Sequence, residues 1–210
     1  RIPDGAVDMV LCDPPYGTTA NFWDRRLPMN EMWEQFKRVT KENAAIVLFS
    51  QMPFGAELIM SNKKMFRYEW IWEKPAAVGF LNAHKMPLRA HENILVFYRK
   101  LPTYNPQKWK GKPKRAFRQQ PINAQRNYGN AAYRERWYDN PEGWRLPRDV
   151  FVFNSLMNVS KHCDHSTEKP VDLCEYLIKT YTNAGELVLD ACMGSGTTAV
   201  AAINTDRHYI

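Results

Sequence analysis

The sequence predicts an α/β fold: a doubly wound, mostly parallel sheet with a basic segment inserted into it. Two observations carry that expectation. Short apolar runs of strand length alternate with segments whose apolar residues recur at helical spacing, the pattern of strand–helix–strand units. Between Arg99 and Arg148 the alternation stops, and thirteen Lys and Arg stand there against three acids. That segment supplies +10 of a formal net charge of +7, which leaves −3 on the remainder.

Each element follows from its local pattern. Val7–Cys12 is an apolar run that stops at two prolines, as a buried parallel strand would. Met29, Met32, Trp33 and Phe36 share one face at helical spacing and predict an amphipathic helix over residues 29–42. Ala45–Phe49 is the next strand, and Pro53 opens a helix reaching Met60, because a proline at a helix start loses no needed N–H. Tyr68–Trp72 and Asn93–Tyr98 are strands joined by a loop rich in Gly, Pro, Asn and His, with no room for a long helix. Past the basic segment, Val171, Cys174, Leu177, Ile178 and Tyr181 line a helix that begins after Pro170. Leu187–Leu189 is a strand, Gly194-Ser195-Gly196 a turn, Thr197–Asn204 a helix, and Arg207–Ile210 the start of a further strand.

Composition narrows the function classes. A chain of 210 residues can bury one core and carry an insertion. Its most apolar stretch, Ala44–Met60, is broken by Gln51, Pro53 and Glu57, so no bilayer span and no membrane partner are expected. Arg1-Ile2-Pro3-Asp4 has no signal-peptide pattern. Cys12, Cys163, Cys174 and Cys192 lack paired spacing and read as free thiols of a reducing, cytoplasmic compartment. His162-Cys163-Asp164-His165 fits no zinc spacing and is expected on a surface loop, so no metal is expected.

Within the basic segment, Tyr104, Trp109, Phe117, Tyr128, Tyr133, Trp137, Tyr138 and Trp144 are interleaved with the cations. A charge run is often only a solvated loop. Cations beside flat rings, however, suit phosphates and bases together, so Lys108, Lys110, Lys112, Lys114, Arg115, Arg118 and Arg126 are candidate nucleic-acid contacts.

Two strand ends carry chemistry. "LVLDACMGSGTTAVAA" is a strand, a tight glycine turn and a helix, the arrangement that receives a nucleoside-type ligand in a doubly wound sheet. It is not a phosphate loop, since Gly196 rather than Lys precedes Thr197, and Gly194 and Gly196 complete no full dinucleotide fingerprint. Asp190 at the strand end is placed to bind an ammonium or hydroxyl. At the other end, Asp13-Pro14-Pro15-Tyr16 sets an acceptor-only carboxylate beside a proline carbonyl and an aromatic ring on a rigid loop. Two acceptors suit an –NH₂ group and the ring suits a heterocycle, which together describe the exocyclic amine of a nucleobase. Holding both amine hydrogens would favour a pyramidal nitrogen with its lone pair free to attack.

These residues resemble the S-adenosylmethionine-dependent amino-DNA methyltransferases, which make N6-methyladenine or N4-methylcytosine. The order of elements is similar to their beta group, and the likeness covers nearly the whole chain. Asp13-Pro14-Pro15-Tyr16 resembles the catalytic tetrad, and Asp190 with Gly194-Ser195-Gly196-Thr197-Thr198 resembles the cofactor loop. Ser166-Thr167-Glu168-Lys169-Pro170 is similar to a family element beside the cofactor, and Trp72-Glu73-Lys74-Pro75 and His91-Glu92 look like further landmarks. The resemblance implies a Rossmann-like methyltransferase sheet divided as a catalytic half over 1–100, a target-recognition insertion over 101–150 and a cofactor half over 151–210. It implies S-adenosylmethionine held by Cys12, Asp13, Lys169, Pro170, Asp190, Cys192, Gly194, Ser195, Gly196, Thr197 and Thr198. It also implies catalysis by Asp13, Pro14, Pro15 and Tyr16 on a base flipped out of double-stranded DNA, with Phe22 or Trp23 as its other wall or as a lid over the following helix.

Asp13 as the first tetrad residue points to adenine, since Ser accompanies cytosine in that family. His165-Ser166 in place of His-Pro, and Cys192 in place of an aromatic, imply a differently packed adenine or methionine pocket. The family's ribose-binding acid after the glycine helix has no counterpart before Ile210, so the sequence reads as the core of a longer chain. Beta-group relatives often pair up, which makes a homodimer a further expectation. The alternatives are an N4-cytosine enzyme, an enzyme acting on RNA or a protein amide, and a catalytically silent DNA-binding protein with the same fold.

Overall fold

A computed structural model describes residues 1–18, 24–118, 136–153 and 169–210. In chain order its elements are β1 (Val7–Cys12), α1 (Met29–Val39), β2 (Thr40–Ser50), α2 (Phe54–Ser61), β3 (Phe66–Val78), β4 (Arg89–Phe97), β5 (Trp109–Lys110), β6 (Lys114–Arg118), β7 (Arg136–Asn140), β8 (Trp144–Arg145), β9 (Val150–Val152), α3 (Val171–Tyr181), β10 (Leu187–Leu189), α4 (Thr197–Asn204) and β11 (His208–Tyr209). They form two compact units, Arg1–Asn105 with Arg148–Ile210, and Pro106–Pro147.

The larger unit is built on a seven-stranded sheet in the order β11-β10-β1-β2-β4-β3-β9. Six of its strands run one way, and only β4 is antiparallel to its neighbours. The chain passes from β1 through α1 to β2 in one direction across the sheet, and from β10 through α4 to β11 in the other. The switch point therefore falls between β1 and β10, where the crevice beyond the strand ends receives ligands in such sheets.

Strand alternation sends side chains to two buried faces, which is why the strands read as continuous apolar runs. Met9, Leu11, Ala45, Val47, Ile94 and Val96 pack with Leu173, Leu177, Ile178 and Tyr181 of α3 and Ala201 and Ala202 of α4. Val10, Cys12, Ile46, Leu48, Leu95 and Phe97 pack with Trp33, Phe36 and Val39 of α1 and Phe54 and Leu58 of α2. The result is an α/β/α sandwich. Tyr181 is fixed within it by the Trp70 indole N–H, which donates to its hydroxyl at 2.7 Å, and by Tyr68, hydroxyl to hydroxyl at 2.9 Å.

Several boundaries differ from the sequence reading, β2 and β4 among them, which begin at Thr40 and Arg89 rather than Ala45 and Asn93. The first helix stops at Val39 rather than near residue 42, because Thr40 is already extended and pairs with Val7 of β1. β3 runs from Phe66 to Val78, beyond the expected Tyr68–Trp72, since pairing with β4 resumes at Val78 past Pro75. Val150, the last residue assigned to the insertion, instead begins β9 beside Ile71 of β3. In the smaller unit, β5 pairs with β8 and β6 with β7, both antiparallel, so short ribbons stand where little regular structure was read.

Candidate active site

β1 and β10 run parallel with Met9 opposite Val188 and Val10 opposite Leu189, so their carboxyl ends emerge side by side. Asp13 and Asp190, far apart in sequence, thus stand at adjacent strand ends on the switch point. Proline follows Asp13 twice, and Pro14 is buried, which fixes the backbone leaving the strand. The loop beyond is tied down in turn. Asp24 accepts the Gly17 and Thr18 N–H groups at 2.7 and 2.8 Å, and Arg26 donates to the Tyr16 carbonyl at 3.0 Å while pairing with Glu57 at 2.5 Å. Gly17 has φ +67°, and a Cβ there would meet Arg26 Cγ at 2.7 Å, so both conformation and space call for glycine.

Both Asp13 oxygens have donors. The Tyr16 hydroxyl donates to Oδ1 at 2.7 Å and the Lys169 ammonium to Oδ2 at 2.6 Å. Burial, and then the Asp13 charge, push the Tyr16 phenol well above its ordinary value. Its ring leans on Phe54 with centroids 5.2 Å apart. Lys169 also lies 3.3 Å from Glu92 Oε2 and over the Phe49 ring at 5.2 Å, while Lys74 pairs with Glu92 Oε1 at 2.5 Å. A continuous polar chain therefore runs Tyr16–Asp13–Lys169–Glu92–Lys74. Burial works against the Lys169 ammonium, yet the Asp13 and Glu92 carboxylates outweigh it and hold its pKa above the ordinary value. Burial likewise opposes the Glu92 carboxylate, but Lys169 and Lys74 bring it below the usual range.

The second strand end forms the glycine turn. Asp190 accepts the Cys192 N–H at 2.9 Å, the Thr198 hydroxyl supports the same carboxylate, and burial raises its pKa. Gly194 and Gly196 have φ +53° and +85°, and Gly196 caps α4. A Cβ on Gly196 would meet nothing within 4 Å and one on Gly194 only the Cys192 carbonyl at 3.9 Å, so the space above the turn is open. Ser195 and Thr197 share a hydroxyl contact at 3.2 Å. Across the switch point the neighbouring Cys192 thiol, and then burial, raise the Cys12 thiol, while Cys12 lowers Cys192 against the opposing effect of burial. Pro170 caps α3 directly after Lys169.

In the smaller unit Lys108, Lys110, Lys112, Lys114 and Arg115 are exposed. Lys110 lies 6.0 Å from the Trp144 ring and Arg145 5.2 Å from Trp109, two cation–π pairs across β5 and β8. Arg118 ends β6, where it pairs with Arg136. Arg126, Phe22, Trp23 and the stretch from His162 to Glu168 lie outside the described residues. Among the described residues Cys12, Cys174 and Cys192 are free thiols, no group of His, Cys, Asp and Glu gathers as a metal site, and no helix is long and apolar enough to cross a membrane.

Sequence reading marked Lys74 and Glu92 only as family landmarks, without a role, and gave none to Asp24, Arg26 or Glu57. A signal existed for the first two: charged residues flank apolar runs of paired strands, with Trp72 opposite Glu92 in register.

An acid and a glycine turn at the switch point of a doubly wound sheet, with a second acid on a proline-stiffened loop beside them, have the form of a site for a nucleoside-type ligand. The chain belongs to the DNA methylase family, whose N6_N4_Mtase model matches residues 7–210, so the resemblance read from its motifs holds. It is 29% identical over 228 residues to the type II methyltransferase M1.MboII of Moraxella bovis, covering 100% of this chain and 85% of that protein. It is 30% identical over 235 residues to the type II methyltransferase M.BglII of Bacillus subtilis, covering 99% of this chain but only 60% of that protein. The fold is similar to the solved PvuII DNA methyltransferase, described as cytosine-N4-specific, with TM-score 0.60 and 16% identity over 99% of this chain and 75% of that one.

Proposed function

We propose that this chain methylates the N6 amino group of adenine in duplex DNA, taking the methyl group from S-adenosylmethionine. The observation that carries the reading is the Asp13 carboxylate at the strand end beside the glycine turn, held by Tyr16 and Lys169 next to the buried Pro14. Asp13 and the Pro14 carbonyl accept the two amine hydrogens, which localises the nitrogen lone pair and stabilises the charge that develops during transfer. A paired adenine cannot reach Asp13, so the base leaves the duplex stack, and the Tyr16 ring packs against it.

The turn fits the cofactor. Left-handed glycines with open space above them admit a nucleoside against the backbone, and Asp190 offers a carboxylate for a hydroxyl or ammonium. Ser195, Thr197 and Thr198 line the same turn at the start of α4, and Cys12 and Cys192 form the floor between the strands. When bound, S-adenosylmethionine supplies an electrophilic methyl group on a sulfonium, which needs neither a metal nor a covalent enzyme intermediate.

Asp rather than Ser at position 13 favours adenine over cytosine. The exposed lysines and cation–π pairs of residues 106–147 hold the DNA. The test is methyl transfer to unmethylated genomic DNA followed by nucleoside mass spectrometry, with Asp13→Ala in parallel. N6-methyladenosine that vanishes in the variant is the expected result. N4-methylcytosine would overturn the choice of base, and no product despite measured binding of DNA and cofactor would leave a silent DNA-binding protein.

A further inference from the structure

We propose that Lys169 is a positioning residue that passes between two carboxylates, holding Asp13 Oδ2 before the target base enters and moving to Glu92 Oε2 when the amine takes its place. The inference rests on the methyltransferase reading and extends it to how the acceptor is vacated.

Three observations carry it. The Lys169 ammonium sits 2.6 Å from Asp13 Oδ2, so an –NH₃⁺ group already occupies an acceptor that an incoming –NH₂ group must use. Glu92 Oε2 is buried and accepts no hydrogen bond among the described residues, yet Lys169 Nζ lies 3.3 Å away, in ion-pair range without the alignment of a hydrogen bond. Glu92 Oε1 is engaged by Lys74 at 2.5 Å, which leaves Oε2 as the receiving atom. A buried carboxylate oxygen without a hydrogen bond is costly, so transfer of the ammonium to Glu92 offsets the loss of its bond to Asp13. The ammonium stays charged in both positions and no proton changes hands. The Phe49 ring, 5.2 Å from Nζ, presents an apolar face under the charge.

If Asp13 must be vacated, removing the receiving charge should trap the lysine, and removing the lysine should release the trap. The experiment compares single-turnover transfer of labelled methyl to duplex DNA, counted whichever base is modified, for the parent, Glu92→Gln, Lys169→Met and the double variant. Glu92→Gln is expected to be about 30-fold slower than the parent with cofactor affinity changed less than threefold. The double variant is expected to be at least tenfold faster than Glu92→Gln. A structural role alone would make the double variant equal to or worse than Glu92→Gln, and that result, with both variants shown to be folded at the assay temperature, overturns the proposal.

A second readout needs neither activity nor the Gln variant. In the DNA-free protein the Lys169 Nζ proton signal, assigned by its loss in Lys169→Met, should persist in Asp13→Asn because Glu92 then holds the ammonium. Its disappearance there means that Glu92 does not receive the lysine. If the parent transfers no methyl group at all, the functional reading fails while this signal still decides the handover.

Discussion

Tyr16 gives Asp13 Oδ1 a donor at 2.7 Å and gives the loop a ring packed on Phe54, and one substitution separates the two contributions. Tyr16→Phe keeps the ring and removes the hydroxyl. A hydrogen bond to a charged group contributes about 1.5–3 kcal/mol, so loss of part of it in the transition state is expected to slow transfer roughly tenfold or more while cofactor affinity stays unchanged. Because burial and the Asp13 charge raise the Tyr16 pKa well above 10.0, the hydroxyl remains a donor through the alkaline range. The pH–rate profiles of parent and variant should therefore share one alkaline shape, and a limb present only in the parent would contradict this. The buried ion pairs have a signed pH dependence of their own. Glu92 falls below 4.5 on folding, so its contribution to stability is complete above that value and is lost as pH falls through the lower folded pKa. Lys169 rises above 10.5, so its contribution is complete below that value and is lost as pH climbs through the higher folded pKa. Urea unfolding is expected to show the parent's margin over Glu92→Gln level between these limits and shrinking in acid.

Among the elements, α4 depends on the turn that starts it. Gly196 at φ +85° has nothing within 4 Å of an added Cβ, so Gly196→Ala costs conformational strain of about 1–2 kcal/mol without a clash. The methyl group projects into the open space above the turn, the proposed cofactor site, and on that proposal calorimetry should show cofactor affinity falling at least tenfold in a protein that still melts cooperatively. On α3, Tyr181→Phe leaves the buried Trp70 indole N–H without its acceptor, a loss of about 1–3 kcal/mol that denaturant titration would register. Both elements were legible in the sequence. The spacing of Val171, Cys174, Leu177, Ile178 and Tyr181 marks α3, and Gly194-Ser195-Gly196 after an apolar run marks the start of α4. β9 was not legible, because three residues at a sheet edge show no period and acquire extended structure only by pairing with Ile71–Glu73. The site divides in the same way. Asp13-Pro14-Pro15-Tyr16 announces itself through local stiffness and donor–acceptor chemistry, whereas the Lys74–Glu92–Lys169 chain joins residues from β3, β4 and the lead into α3, and only the fold brings them together.

Charge is segregated across the whole molecule. The residues outside the segment from Arg99 to Arg148 carry a net −3, while that segment carries +10. Neutralising phosphates releases condensed counterions, so the logarithm of DNA affinity should fall linearly with the logarithm of salt concentration, at about −0.9 per phosphate contacted. Lys112 and Lys114 are exposed on the smaller unit, remote in sequence from the proposed catalytic and cofactor residues. Replacing both with alanine is expected to flatten that slope by about 2 and to weaken binding uniformly across DNA sequences, with cofactor affinity unchanged. Lys110, whose ammonium faces the Trp144 ring, differs in kind: if it is a phosphate contact as proposed, its loss removes that contact and also loosens the ring. Lys110→Ala should therefore weaken single-stranded and duplex DNA binding beyond what the change in salt slope accounts for. Binding that held constant from about 50 to about 200 mM salt, where several phosphate contacts would cost orders of magnitude in affinity, would remove this unit from the DNA interface and leave recognition to the rim of the catalytic sheet.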